Sequence, residues 1–461
     1  FTLGDLYDRH MPDPRRAEAA FSRVLKLLPE DLETMDRLAE LYIRENNLEK
    51  AVPMLQRLYD IEIDPDERRR HRLRIARAHE ASGDARTAER VLDETRRVDP
   101  TDLVVLRAMA DLYERQNAPS ALAMHLGRAL SDFRRGVRDA PSDVMAWTGL
   151  VDVLDWKGRP DAARAAASAS VAYGVQDVGL SARVGALGEI PGAGAGAFDA
   201  DLRDMLAPSP LGRAIFEVFR LSQEALDKAA PFDAKAWRAQ KYRTEPLRSE
   251  AQRVGAFFGA TDVQLLVTSA APRLCLPVGS SPVTLLIGDD LASGTDERQR
   301  AFLFARAISI AQSHLTVAMR TGPELLAPLL AALHRVYDPH IQIGAHDPKL
   351  VDDLTKKLTK GISRRSRDAL GLVLLEMVNA PGYDPTRLGV AAAELGDRLA
   401  LLALGSVPAG VEALLQLAGL GNESADRVVL LDKVPEAREL VHFAISDAHF
   451  DARQRAGADR S

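Results

Sequence analysis

Apolar positions along the first third of the chain recur every three or four residues, in paired runs, and the pairs repeat with a period near 34 residues. In such helix pairs small residues fall where two helices cross closely, larger apolar residues fill the groove between them, and a proline often ends the second helix. Ala17, Phe21, Val24 and Pro29 fit the second helix of a first pair. Leu38, Ala39, Tyr42, Ala51, Leu55 and Leu58 fit a complete second pair. Ile75, Ala76, His79, Ala88, Leu92 and Pro100 fit a third, with Gly83 at its turn. Met109, Ala110 and Tyr113 open a fourth, which is distorted around Ala118 and Pro119 and whose second helix extends through Phe133. Trp147, Leu150, Val151, Leu154, Ala163 and Ala167 give a fifth, with Gly158 at its turn. The pattern predicts an α-solenoid over residues 1–174.

From 175 to 210 both periods are broken by Gly185, Gly188, Pro191, Gly192, Gly194 and Gly196, which predicts a linker or hinge with short helical pieces. Beyond it, helical periodicity covers 211–229 and 234–258, and the period then drops to two. Strands are expected at 263–268, 273–277 and 283–287, with a turn at 279–282. Thr295, Asp296 and Glu297 mark a helix start, and that helix is expected to run to about 319. Further helices are predicted over 323–336, 349–358, 363–378, 385–404, 409–420 and 435–450. The chain is therefore expected to be mostly α: a solenoid over 1–174, a linker over 175–210, and over 211–461 an α+β domain with a small sheet beside a helical bundle.

Composition narrows the function classes. The 461 residues leave room for two or three domains. With 60 basic against 66 acidic side chains, no global basic field recruits nucleic acid, and no nucleic-acid partner is expected. The single cysteine, Cys275, excludes an intrachain disulfide framework. The most apolar stretch, 399–420, is interrupted by Gly405, Pro408, Gly410 and Glu412 and suits packed core helices better than a transmembrane segment. A soluble, cytoplasmic protein is favoured, and the Ala and Arg usage points to a high-GC bacterial source. The chain opens at Phe1 partway into a repeat, as a processed or truncated chain would.

The repeats resemble the tetratricopeptide repeat (TPR) family, whose pattern is W-x2-L-G-x2-Y, then A-x3-F-x2-A, then P. Leu38, Ala39, Tyr42, Ala51, Ile75, Ala76, Ala88, Trp147, Leu150 and Ala163 carry the resemblance in register. It implies a right-handed superhelix whose concave groove binds a protein or peptide partner, and stacked repeats do expose such a groove. The array is otherwise a spacer, or docks internally. The run Glu67-Arg-Arg-Arg-His-Arg reads as a solvated helix face rather than an acidic-peptide site.

The C-terminal domain resembles the M48 family of zinc metallopeptidases in the order of its elements. Leu274-Cys-Leu-Pro277-Val-Gly279 is similar to the family's first strand segment, and Thr284-Leu-Leu-Ile-Gly288-Asp-Asp-Leu291 to its second. Ala301-Phe-Leu-Phe-Ala305-Arg306-Ala-Ile-Ser309 falls in the frame of the H-E-x-x-H helix. Leu395-Gly-Asp397-Arg398 falls in the frame of the E-A-D-R helix that supplies the third ligand. In this frame the two ligand histidines are replaced by Ala305 and Ser309, the general base by Arg306 and the third ligand by Leu395. Zinc needs imidazole or carboxylate donors, and a guanidinium accepts no proton at neutral pH. The resemblance therefore implies a degenerate, ligand-less pseudoenzyme with no metal and no cofactor, in which Asp397 and Arg398 have structural roles.

The remaining reactive side chains offer less specific chemistry. His314 reads as a helical residue one face-turn beyond Ser309 and not a ligand. His334, His340 and His346, near Asp338 and Asp347, lack a ligand spacing. Cys275 is expected to be buried and inert in a strand. Ser280 and Ser281 sit in a turn, not in a G-x-S-x-G elbow. Asp289 and Asp290 read as solvated acids. Lys356, Lys357, Lys360, Arg364, Arg365 and Arg367 form the most basic local patch, read as a solvated helical hairpin without interleaved aromatics. The leading expectation is a non-catalytic scaffold or adaptor. The alternatives are a zinc-dependent hydrolase with non-standard ligands and a structural subunit of a larger assembly.

Overall fold

A computed structural model describes residues 1–187, 198–340, 346–421 and 423–457. They cluster into two compact units, residues 1–139 with 152–158, and residues 140–151 with 159–461.

The first unit contains α1 (Thr2–Asp5), a π-type turn (Leu6–His10), α2 (Pro14–Leu27), α3 (Leu32–Arg44), α4 (Leu48–Ile61), α5 (Pro65–Ala81), α6 (Ala85–Val98), α7 (Leu103–Arg115) and α8 (Pro119–Asp139). Each helix from α2 to α7 is started by an Asp or Asn, at 13, 31, 47, 64, 84 and 102, whose side chain accepts a backbone N–H of the first turn. Each helix packs on the next, from α2 through α8, giving a TPR-like α-solenoid. Leu38, Ala39, Tyr42, Ala51, Ile75, Ala76 and Ala88 are all buried in its cores. Tyr42 and Tyr113 stand at equivalent positions, and their hydroxyls donate to Glu18 (3.0 Å) and Glu89 (2.7 Å), each on the preceding pair.

The basic run on α5 faces solvent only in part: Arg70 is exposed and pairs with Glu67 of its own helix, while its neighbours cross to other helices. Arg69 pairs with Asp102 (3.1 Å), Arg72 with Glu94 (2.5 Å) and Arg74 with Asp36, while Arg68 and Arg72 lie over the Tyr59 ring. These bonds tie α5 to α3, α4 and α6 and to the cap of α7. The residues are long enough to cross between helices that sequence alone does not bring together.

α9 (Val144–Trp156) is divided between the two units. The second unit continues with α10 (Pro160–Ala172), α11 (Val178–Leu187), α12 (Ala200–Leu206), α13 (Arg213–Ala229), β1 (Gln240–Lys241), α14 (Leu247–Phe257), β2 (Val263–Thr268), β3 (Cys275–Ser280) and β4 (Val283–Gly288). Then come α15 (Asp289–Gly294), α16 (Glu297–Gln312), α17 (Thr316–Arg320), α18 (Pro323–Arg335), α19 (Pro348–Gly361), α20 (Arg364–Val378), α21 (Leu388–Leu404), α22 (Val407–Leu417), α23 (Arg427–Lys433), α24 (Pro435–Ala444) and α25 (Asp447–Arg455). This unit is α+β, a small sheet beside a helical bundle. The sheet order is β1-β2-β4-β3, with β2 and β4 parallel and both outer pairings antiparallel.

Several boundaries differ from the sequence reading. The repeats were expected to end at 174, yet residues 140–151 and everything from 159 cluster with the second unit. The cause is α10, where seven alanines from Ala162 to Ala172 are buried, so that α22 and α24 approach it closely. Trp147, Leu150 and Ala163 are buried in this unit, and the Trp147 indole donates to Pro141 O (2.8 Å). The linker holds α11 and α12, while Gly188, Pro191, Gly192, Gly194 and Gly196 lie outside the described residues. The helix expected from 234 begins only at Leu247, after turns and β1. The helix expected to reach 319 ends at Gln312, because His314 adopts φ 62° in the turn before α17. The helix expected over 435–450 is split at Ile445, where Ser446 caps α25.

Candidate functional site

α16 is buried on nearly every side: Phe302 through Ala311 are all buried, against α14, α21, α22, β3 and β4. Its all-round burial explains the absence of a clean amphipathic stripe. α21 lies alongside it, and Gly396 permits the close approach, since a Cβ there would fall 2.7 Å from Ile310 Cδ1 and 3.0 Å from Arg306 Cγ.

At this crossing the Arg306 guanidinium Nε donates to Asp397 Oδ1 at 2.6 Å, with both side chains more than nine-tenths buried. Burial pushes the Asp397 carboxyl up to about 6, against the pull of Arg306. Ala305, Ser309 and Leu395 are buried beside the pair, and the Ser309 hydroxyl donates to its own helix at Arg306 O (2.9 Å). Arg398 donates to Leu206 O (2.9 Å) and to Glu394, and lies over the Phe443 ring. Asp397 is the one anionic donor among these positions, and it is held by a cation. This donor set does not fit a zinc ion, which requires several imidazole or carboxylate ligands with an open position. Among the described residues no group of three or more His, Cys, Asp or Glu is arranged to hold a metal.

The nearest strand edge is closed as well. β3 is an outer strand, Pro277 has no N–H, and Val278 O accepts from Arg320 Nη1 (2.7 Å). Arg320 is fixed there by Asp227 (2.8 Å) and Ala230 O (2.6 Å). An added peptide strand would have to displace this guanidinium.

The remaining candidates do not converge. His314 lies beyond the end of α16, not on it, and its Nδ1 meets Gln223 Oε1 at 2.6 Å. His334 reaches Leu374 O (3.4 Å), Asp338 accepts from the His340 N–H, and Asp347 caps α19. Cys275 is buried with its thiol near Leu303 O, and burial pushes it up to about 12. Ser280 bonds Thr316 (2.5 Å), and Asp289 and Asp290 are exposed in the first turn of α15. In the basic patch Lys356 pairs with Asp353 (3.6 Å), while Lys357, Lys360 and Arg367 are exposed.

In the first unit a recess opens between α5 and α7, over α6. Leu73, Ala76, Ala88 and Ala108 make an apolar floor, with Arg77, Glu80, Asp111 and Arg115 at its rim. Arg115 grips Glu80 with two bonds (2.6 and 2.9 Å), whereas Arg77 is exposed. The sequence reading missed these four charged residues, because single charges on an amphipathic helix look alike whether they face a groove or bulk water. Their spacing from the crossing residues Ala76 and Ala110 is the signal that would have selected them.

No protein-family model matches the chain, and no curated protein matches it. Among solved structures it is similar to one described as the crystal structure of MamA protein, at 16% identity over 35% of this chain and 82% of that one, with a TM-score of 0.23. The helical-repeat architecture of residues 1–139 therefore rests on the chain's own helix pairing.

Proposed function

We propose that this chain is a non-catalytic interaction scaffold. Its repeat unit takes a peptide segment of a protein partner in the recess between α5 and α7. Its second unit is a peptidase-like frame in which an arginine–aspartate pair stands where metal chemistry would be. The observation that supports the reading is the buried Arg306–Asp397 bond at 2.6 Å, since in the peptidase-like alignment Arg306 falls at the general-base position and a guanidinium held by a carboxylate accepts no proton. The recess supports the binding half as a shallow contact point of about 30 Å³, lined by Leu73, Ala76, Ala88 and Ala108 beside the exposed Arg77, for one side chain of such a segment.

The test is a peptide-array screen of the full chain against Leu73→Glu/Ala108→Glu, with zinc content measured on the same zinc-treated, desalted protein. The expected result is binding lost in the groove variant and no stoichiometric zinc. Peptides bound equally by both proteins would refute the groove. Zinc at one per chain together with peptide hydrolysis would instead establish a hydrolase.

A further inference from the structure

The sheet has two outer strands. β3 is sealed by Arg320, whereas β1 is open. The Tyr242 N–H donates to Leu265 O (2.9 Å), and Gln240 and Lys241 stand opposite Val267 and Leu266. Bonded positions alternate along an antiparallel pair, so residues 240 and 242 bond β2 and the Lys241 N–H and C=O point away from the sheet. Among the described residues no other backbone segment bonds them.

This edge is held in place and is basic. Phe232 and Trp237 pack over Leu276, Val278 and Leu286 of the sheet, and Trp237 O accepts from the Thr268 hydroxyl. Residues 234–244 contain Lys235, Arg238, Lys241 and Arg243 and no acid. All four are exposed, and none has an ion-pair partner among the described residues. Arg238 adopts φ 49° in the turn before β1, a left-handed conformation that glycine or asparagine takes at lower cost. An arginine held there points to a use for its guanidinium. The acids nearby in sequence bound the stretch instead of interrupting it. Asp233 accepts the Lys235 and Ala236 N–H groups (2.9 and 3.0 Å), and Glu245, beside Arg248, accepts the Ser249 N–H (3.0 Å). Asp262, at the entry to β2, accepts from Gln264 (3.3 Å). Asp289 and Asp290 follow β4, on the far side of β2 from this edge.

We infer that β1 takes an extended acidic segment of a protein partner as an added outer strand. Main-chain bonds to Lys241 register the segment, and its carboxylates meet the four cations. A short outer strand carrying lysine commonly guards a sheet against edge pairing. Here the guard has one sign: it repels a second copy of the same basic edge and admits an acidic strand. A nucleic acid would need exposed rings to stack on, and Trp237 and Tyr242 are half-buried. A bilayer would need apolar anchors, and among the described residues no large apolar side chain from 206 to 349 is exposed.

The probe is a synthetic peptide of alternating glutamate and valine. Its controls are a peptide with lysine in place of glutamate and the acidic peptide with every backbone amide N-methylated. Each is titrated by fluorescence anisotropy into the full chain, into Arg238→Gln/Lys241→Gln/Arg243→Gln and into Leu73→Glu/Ala108→Glu. The acidic peptide is expected to bind more weakly as salt rises, to lose about tenfold in affinity on the triple variant, and to be unaffected by the recess variant. The lysine peptide is expected not to bind, and the N-methylated peptide to bind at least about tenfold more weakly than its parent. The inference is overturned if the acidic peptide does not bind, if the triple variant binds it normally, or if the lysine peptide binds as well. Loss on the recess variant would move the peptide to the first unit and also refute it. Oligothymidylate or phosphatidylserine vesicles binding in place of the acidic peptide would give the patch to nucleic acid or membrane. The triple variant should melt with the parent protein. Should it fail to fold, the acidic peptide and its N-methylated form on the parent protein decide alone, and equal binding refutes strand addition.

Discussion

Replacing Arg306 by methionine isolates the energetics of the buried pair. Arg306→Met keeps the aliphatic stem that packs at the α16–α21 crossing and removes the guanidinium bonded to Asp397. A carboxylate left in a dry site without its cation costs about 3–5 kcal/mol, far more than the pair contributes over an apolar replacement. The double variant Arg306→Met/Asp397→Leu should therefore recover to the parent's stability or exceed it by about 1–4 kcal/mol. Because two units are present, a global melt mixes their transitions, and hydrogen exchange read on α16 and α21 is the better assay. The single variant should exchange there roughly a hundred to several thousand times faster, at about 1.4 kcal/mol per factor of ten, if these amides exchange by cooperative opening of the unit. The effect also has a pH sign. In the parent, burial raises Asp397 from 3.8 to about 6, so the native state holds a proton that the unfolded chain releases. That contribution is fully present below about pH 4 and is lost as pH rises through about 6. Without Arg306 the carboxyl rises further, so the penalty should grow between pH 5 and pH 8 by this same linkage, a range of about 3 units. A single variant within about 1 kcal/mol of the parent, or a double variant as unstable as the single, would refute the account of an isolated buried pair.

Two further outcomes follow from the packing. The Cys275 thiol, buried and pushed up to about 12, should resist an aromatic disulfide reagent in the native protein and react at once in denaturant; fast native labelling would contradict its burial. Gly288→Ala would place a Cβ 2.0 Å from Pro272 O, so it should destabilise the second unit by about 1–3 kcal/mol and speed hydrogen exchange in β3 and β4, and unchanged exchange there would refute the close approach of 272 and 288.

The solenoid was legible because its period is written in small residues. Ala39, Ala76 and Ala110 recur at helix crossings, and a larger side chain there would hold the helices apart. The strands 263–268 and 283–287 were legible from their alternation and β-branched content. The division of the chain was not. α10 is so rich in alanine that it has no polar side to identify, and only its burial beneath α22 and α24 assigns it to the second unit. The end of α16 was equally hidden, because nothing in Gln312-Ser-His314 forbids a further turn until the chain must bend back toward β3.

For the candidate site the same contrast holds. Local sequence showed that residues 305, 306, 309 and 395 lack metal donors, since donor chemistry belongs to each side chain wherever it sits. That Arg306 meets Asp397 across 91 positions of sequence, and that Arg320 seals β3 by bonding Val278 O, are decided by packing. Helix periodicity and capping act over a few residues and can be read from the chain. Pairing of buried charges depends on which helices are brought together, and that is settled only when the whole core closes around them.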